Sequence, residues 1–401
     1  MSGTIKVTTL QDGGSATANL VFDTSGNATV GNNLTVTGTA AMASSFKRNY
    51  IINGNMMIAQ RGTSFTGLSN SAAAATYGID RFSYNRGNGT TGVVTMSQVS
   101  DAPPGFAYSL KIQPTTSESS IAATEYNSIK YLFEGLSVQS LAYGTSSASA
   151  TTLSFWIKSS VTGNFPGVLF QTQSSTGRTW PFYYTVSAAN TWQYVTVNIA
   201  ADPSGSIPNT NTGALEIDFY FGLGSSYTNG TAGSWNTNVS SNSFAPTGVS
   251  YVNLLASTSN TFQITGVQFE LGTKATPYEM QIYSDQLAQC QRYYVQLSSS
   301  GALYASLGTG ICNSSSSGQG FVVRLPVTMR TQPTASFNAM RVYDGASAAT
   351  ILSFSSVSSC SSANALGFDA SCSGTVLTTG RPLTIQGNYD ATAYIAASAE
   401  L

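Results

Sequence analysis

Between Leu215 and Phe221 the side chains alternate without a break. Leu215, Ile217, Phe219 and Phe221 are apolar, while Glu216, Asp218 and Tyr220 between them carry polar groups. A period of two sends neighbouring residues to opposite faces of a strand, so this segment has one dry face and one wet one. Leu153, Phe155 and Ile157 repeat the pattern, as do Val195, Val197 and Ile199, and again Phe262 and Ile264. Gly-, Ser- and Pro-rich turns separate these runs. Strands of this kind must press their dry faces together, which predicts a jelly-roll-like β-sandwich between about residues 46 and 282. The Gly/Ser/Asn-rich stretch 222–248 reads as a surface loop bearing Tyr227, Trp235 and Phe244.

On either side the pattern changes. Residues 1–45 read as short strands with Gly/Asn turns: Ile5 and Val7, then Leu20-Val21-Phe22, Val30, and Leu34 with Val36. A stretch of ~40 residues with so few apolar side chains rarely folds alone. The economical solution is that several copies share one core, wound around a common axis. After the sandwich, Ser284 reads as an N-cap and Asp285 as a first-turn acid of a helix that continues through Leu287 to Tyr294, within a connecting segment 283–296. Residues 297–401 read as a small β-rich tip domain, with Phe321-Val322-Val323-Arg324-Leu325-Pro326-Val327 and Leu383-Thr384-Ile385 as strands. The fold class is all-β with one short helix.

Composition narrows the chemistry. Only 8% of residues are charged, net charge is −1, and there is no histidine. That excludes His-dependent triads and H-E-x-x-H zinc sites. It also leaves no basic field to hold a nucleic-acid backbone. No apolar run approaches the ~18 residues of a membrane span, and Met1-Ser2-Gly3-Thr4-Ile5-Lys6 lacks the pattern of a signal peptide. Neither membrane insertion nor secretory export is expected. Cys290, Cys312, Cys360 and Cys372 never form C-x-x-C, so no metal is expected on them. Free buried thiols are the commoner reading, with a Cys360–Cys372 disulfide as the alternative, and sequence does not choose among the three pairings that four cysteines allow. Gly87-Asn88-Gly89-Thr90-Thr91-Gly92 satisfies G-x-G-x-x-G, but a strand follows where a dinucleotide site needs a helix, so it reads as a turn. No cofactor is expected.

Several segments resemble a known family. Asn49-Tyr50-Ile51-Ile52-Asn53-Gly54-Asn55-Met56-Met57-Ile58-Ala59-Gln60-Arg61-Gly62 resembles the opening of a domain common in bacteriophage tail-fibre proteins. Tyr77-Gly78-Ile79-Asp80-Arg81-Phe82 is similar to its Asp-Arg-aromatic motif. The stretch from Phe262 through Gly272 to Glu279 resembles its last strand, and the Tyr293-Tyr294 pair follows. Leu325-Pro326-Val327-Thr328-Met329-Arg330, with Pro333, and Ser398-Ala399-Glu400-Leu401 are similar to fibre C-terminal modules. The resemblance implies a homotrimeric virion appendage, assembled in the host cytoplasm. It would join other virion or tail proteins through its N-terminus and meet a host surface glycan or protein with its β modules. Asp80-Arg81 and Gln268-Glu270 look structural and are not carried over as a site.

A glycan site needs exposed aromatics to stack on a sugar's apolar face, with amides and carboxylates to read its hydroxyls. The 222–248 loop has that composition, in Tyr227, Trp235 and Asn236 with Asn229 and Asn238 nearby. Its bland reading is that Trp235 plugs the sandwich edge. The second candidate is Glu216, Asp218 and Tyr220, spaced i, i+2 on one strand face and so about 7 Å apart. That separation suits a carboxylate pair, though a solvated strand face is commoner. The expected function is non-enzymatic, multivalent adhesion, with little dependence on ionic strength because few charges are available to screen. A purely structural virion connector and a glycan depolymerase using Glu216 and Asp218 are the alternatives.

Overall fold

The computed structural model describes residues 9–10, 20–22, 28–30, 47–69, 76–87, 89–172, 177–237, 243–298, 304, 306–356, 362–390 and 392–401. The chain divides into two compact units, Met1–Phe46 and Lys47–Leu401. In the first, Thr9–Leu10, Leu20–Phe22 and Ala28–Val30 pair antiparallel in that order. The strands anticipated at Ile5/Val7 and Leu34/Val36 lie outside the described residues, as does Cys360.

In the second unit the alternating segments form two antiparallel sheets. The six-stranded sheet runs, across its width, Gln193–Ile199, Thr151–Ser159, Phe262–Leu271, Ser109–Thr116, Val93–Val99, Ser64–Leu68. The seven-stranded sheet runs Asn236–Thr237, Arg178–Val186, Gly163–Gln171, Gly213–Leu223, Tyr126–Glu134, Phe82–Arg86, Thr76–Tyr77. Strands close in sequence often belong to opposite sheets, as in the step from Thr151–Ser159 to Gly163–Gln171, which gives the sandwich its jelly-roll-like character. The dry faces meet as the alternation requires: Phe155 lies 5.0 Å from Phe219 and Phe165 lies 5.7 Å from Phe262, ring centre to ring centre. Leu215, Ile217, Phe219 and Phe221 are fully buried in this core.

The helix is Tyr283–Gln291, capped two residues earlier and ending sooner than the sequence suggests. Extended Ile282 occupies the cap position without a side-chain bond, so Ser284 falls inside the first turn and its hydroxyl meets Asp285 instead. Tyr294 leaves the helix to open the strand Tyr294–Ser298, which pairs with Tyr394–Ser398 and, through it, with Thr334–Asn338. Beyond it six strands close into a barrel in the order Ser306–Ser314, Ser317–Arg324, Ala365–Cys372, Ala348–Ser356, Met340–Tyr343, Pro382–Gly387. Phe321, Val323, Leu366, Phe368, Leu383 and Ile385 fill its core.

The segments that carry the fibre resemblance come together where sandwich and barrel join. Arg81, 1% exposed and held at φ 71°, ion-pairs with Glu400 and stacks its guanidinium on the Tyr293 ring at 3.5 Å. Arg61 takes the other Glu400 oxygen at 3.0 Å and lies over Tyr294. Arg330 donates to the Ala399 and Glu400 carbonyls at 2.7 Å and to the Asn211 carbonyl at 2.8 Å. The Tyr77 hydroxyl donates to the Leu401 carbonyl. Asn53, also left-handed at φ 62°, ties the loop to Asp80 and Ile58 through its amide. At Gly54 a Cβ would sit 2.0 Å from the Val267 carbonyl oxygen, so only glycine fits this close approach. These motifs build a joint.

Candidate functional site

The wet face of Gly213–Leu223 is not open to solvent along its length. Glu216 lies opposite Leu132 and Phe170, Asp218 opposite Lys130 and Val168, and Tyr220 opposite Ser128. Asp218 is 1% exposed and Tyr220 3%, because the loop after the strand folds back over this face. That return needs Gly224, where a Cβ would meet the Ala122 and Ala123 carbonyls at 2.1 and 2.4 Å. The loop then lays Tyr227 and Phe244 against the sheet. Tyr227 stacks on Phe244 at 5.4 Å and meets Tyr126 edge-on at 5.4 Å; Tyr126 in turn meets Tyr220 at 6.2 Å. Phe244 also packs on Phe170, at 6.0 Å. Tyr126, Phe170, Tyr227 and Phe244 remain half-buried, so the strip keeps an aromatic surface.

Charged groups continue the strip. The Lys130 ammonium lies 2.9 Å from Glu216, and their side chains are 19% and 12% exposed. Burial alone would pull the Lys130 pKa down; the Glu216 and Asp218 carboxylates more than offset it and hold the lysine charged. Asp218 moves the other way. Burial, then the neighbouring Glu216, push its pKa well above the carboxylate range, with Lys130 and a 2.7 Å hydrogen bond from Ser128 opposing. Lys130 and Glu216 cancel and Asp218 is pushed toward its neutral acid form. The result is a dense set of donors and acceptors with little net charge, which suits hydroxyls better than ions. Ser83, opposite Lys130, and Thr179, opposite Phe170, are buried with hydroxyl oxygens that have no protein partner.

The structure thus brings Tyr227 together with Glu216, Asp218 and Tyr220, which the sequence treats as two separate candidates. Trp235 and Asn236 stand apart from them. Trp235 caps the sandwich edge: its indole N–H donates to the Ala200 carbonyl at 2.8 Å, and its ring meets Trp180 and Tyr143, each at 5.6 Å. Asn236 spends its amide within the loop, on Thr231 and Ser234. Asn238 lies outside the described residues. Tyr126 and Phe170 escape the sequence reading because nothing local marks them; they, like Lys130, reach the strip through strand register. Lys130, an isolated charge at an outward position of an apolar strand, is the one readable signal.

Other features carry less. The Gly87–Gly92 turn directs the Thr91 and Gly92 N–H groups at the Glu118 carboxylate, and a strand follows. Cys290, Cys312 and Cys372 are buried free thiols. A cleft of about 100 Å³ is lined chiefly by Tyr50, Ile52, Tyr131, Phe133, Glu134 and Tyr293. Its carboxylate is already bound by Arg292 and the Tyr293 hydroxyl. Among the described residues no cluster of Cys, Asp and Glu is placed to hold a metal, and no helix is long and apolar enough to cross a membrane.

No family model matches the chain, and no curated protein sequence does. Among solved structures it is similar to the enzymatically active domain of bacteriophage CBA120 tailspike protein 4, at 14% identity and a TM-score of 0.30. That match covers 56% of this chain and 21% of that one, so it spans about a fifth of the tailspike domain. A putative sugar-binding protein from Bacteroides thetaiotaomicron aligns over 56% of this chain and 100% of its own, at 12% identity and a TM-score of 0.29. A family 11 carbohydrate-binding module from Clostridium thermocellum, in complex with a β-1,3-1,4-mixed-linked tetrasaccharide, aligns over 54% and 98%, at 11% identity and a TM-score of 0.26. At such distances none of them bears on what this chain binds.

Proposed function

We propose that the chain is a glycan-binding adhesion protein and that the outer strip of its seven-stranded sheet is the binding surface. The observation that carries this reading is the convergence of Tyr126, Tyr220, Tyr227, Phe244 and Phe170 beside the Lys130–Glu216 pair. Aromatic faces take the C–H face of a sugar ring, and the adjoining charged and hydroxyl groups read its hydroxyls. With Asp218 buried and bonded to Ser128, Glu216 is the carboxyl of the two that fronts the strip, beside Lys130.

The biological setting we infer is a phage tail fibre, a homotrimer attached to the virion through residues 1–45 and adhering to a host surface. It is supported by the ordered set of fibre-like motifs and by the lean N-terminal segment. Three weak sites on one body gain avidity without tight single contacts. The test uses purified full-length protein on host cells. Binding that blocks infection, and that weakens at least tenfold in Phe244→Ala with folding intact, supports the proposal. Absence of cell binding would point to the connector role, and release of oligosaccharide abolished by Glu216→Gln to a depolymerase.

A further inference from the structure

The barrel bears an aromatic platform of its own. Tyr304 is 45% exposed and Tyr389 69%, and their ring centres lie 5.7 Å apart. Exposed tyrosines of this size are seldom left paired on a surface without a use, since each offers a large apolar face to water. Tyr389 is held at φ 55°, a backbone conformation that an aromatic residue adopts only at a cost. The Arg341 guanidinium stacks on the Tyr304 ring at 4.1 Å and lies 5.8 Å from the Tyr343 ring.

The barrel register sets polar groups around this platform. Arg341 pairs across the wall with Gln386 on one side and Thr350 on the other, and Gln386 pairs with Ser306. Met340, Val342 and Ile385, the flanking residues, point into the core, so this row points outward. Arg341 donates from Nη2 to the Gln386 side-chain Oε1 at 3.0 Å, and its buried Nε has no acceptor. A half-buried cation on an aromatic face, with no carboxylate partner among the described residues, is suited to receive an anion.

We propose that this wall is a second saccharide site, distinct from the sandwich strip and selective for acidic sugars. Tyr389 and Tyr304 hold the ring face, Arg341 takes the sugar carboxylate, and Gln386, Thr350 and Ser306 read neighbouring hydroxyls. The full chain is titrated with a glucuronate-containing oligosaccharide and with its carboxyl-reduced, neutral counterpart, by calorimetry or NMR. The acidic form is expected to bind at least tenfold more tightly. Arg341→Gln is expected to bring the two to within about threefold, and Tyr389→Asn, which fits the left-handed backbone, to weaken the acidic sugar at least tenfold without lowering the melting temperature. Phe244→Ala, in the sandwich strip, leaves this preference intact, so failure of one site is separable from failure of the other. Equal binding of both sugars by the unaltered protein, binding of neither, or an unchanged preference in Arg341→Gln overturns the proposal.

Discussion

The sandwich strip and the barrel wall use the same materials, tyrosines beside a cation, and differ in how the cation is satisfied. Lys130 sits against Glu216 and near Asp218, so its charge is cancelled inside the protein. Arg341 lies on aromatic rings and gives one hydrogen bond to a neutral amide. Pairing therefore decides ligand class: the first surface presents neutral hydrogen-bonding capacity, the second an uncompensated positive charge. Both belong to one unit, because Glu400 fastens the chain's end to Arg61 and Arg81 of the sandwich.

Breaking that fastening gives the largest expected effect. Glu400→Gln leaves Arg81 buried without a counter-charge, which costs about 3–5 kcal/mol. The loss is read as a lower denaturation midpoint, with barrel and sandwich ceasing to unfold together. Trp235→Ala is expected to lose roughly 2–3 kcal/mol, below the ~3–5 of a fully buried tryptophan because the ring is half-buried. It should leave glycan affinity within about twofold, as befits an edge cap. Tyr227→Ala should differ in affinity. It too is half-buried, so it is expected to lose about 1–2 kcal/mol of stability, while neutral-glycan affinity falls about tenfold, or ~1.4 kcal/mol.

The pH response sharpens the contrast. Asp218 has a folded pKa raised above its unfolded value, so the folded protein binds more protons. Its contribution favours folding below the unfolded pKa, and stability is lost as pH rises from there toward the folded pKa. Asp218→Asn is expected to flatten that slope and to raise the melting temperature more at pH 8 than at pH 4. Salt gives the smallest effect. Binding of a neutral glycan at the strip should hold steady between low and sea-water salt, whereas acidic-sugar binding at Arg341 should weaken. The uniform insensitivity that the low charge count suggests then applies to the strip alone.

Much of the sandwich was legible because alternation is local. Leu215, Ile217, Phe219 and Phe221 announce a buried face by themselves, and the strand is there. Glu216, Asp218 and Tyr220 were legible as one face for the same reason. What covers that face was not: the contact between Tyr227 and Tyr126 depends on a return path through Gly224, and no periodicity encodes it. The joint was legible only as motifs without a role, since Arg81 and Glu400 are far apart in sequence. Ser284 misled because a good cap residue competes with backbone already turned by extended Ile282. Tyr389 gave no signal, because a loop tyrosine looks alike whether it is buried or displayed.

Hydrogen–deuterium exchange of the chain, with and without neutral host polysaccharide, reports whether the sandwich strip is the surface that a glycan covers. Protection is expected in residues 126–134, 213–223, 225–230 and 243–246, the strands and loop ends that build the strip. Protection confined to other surfaces, or no protection at saturating polysaccharide, would contradict that assignment.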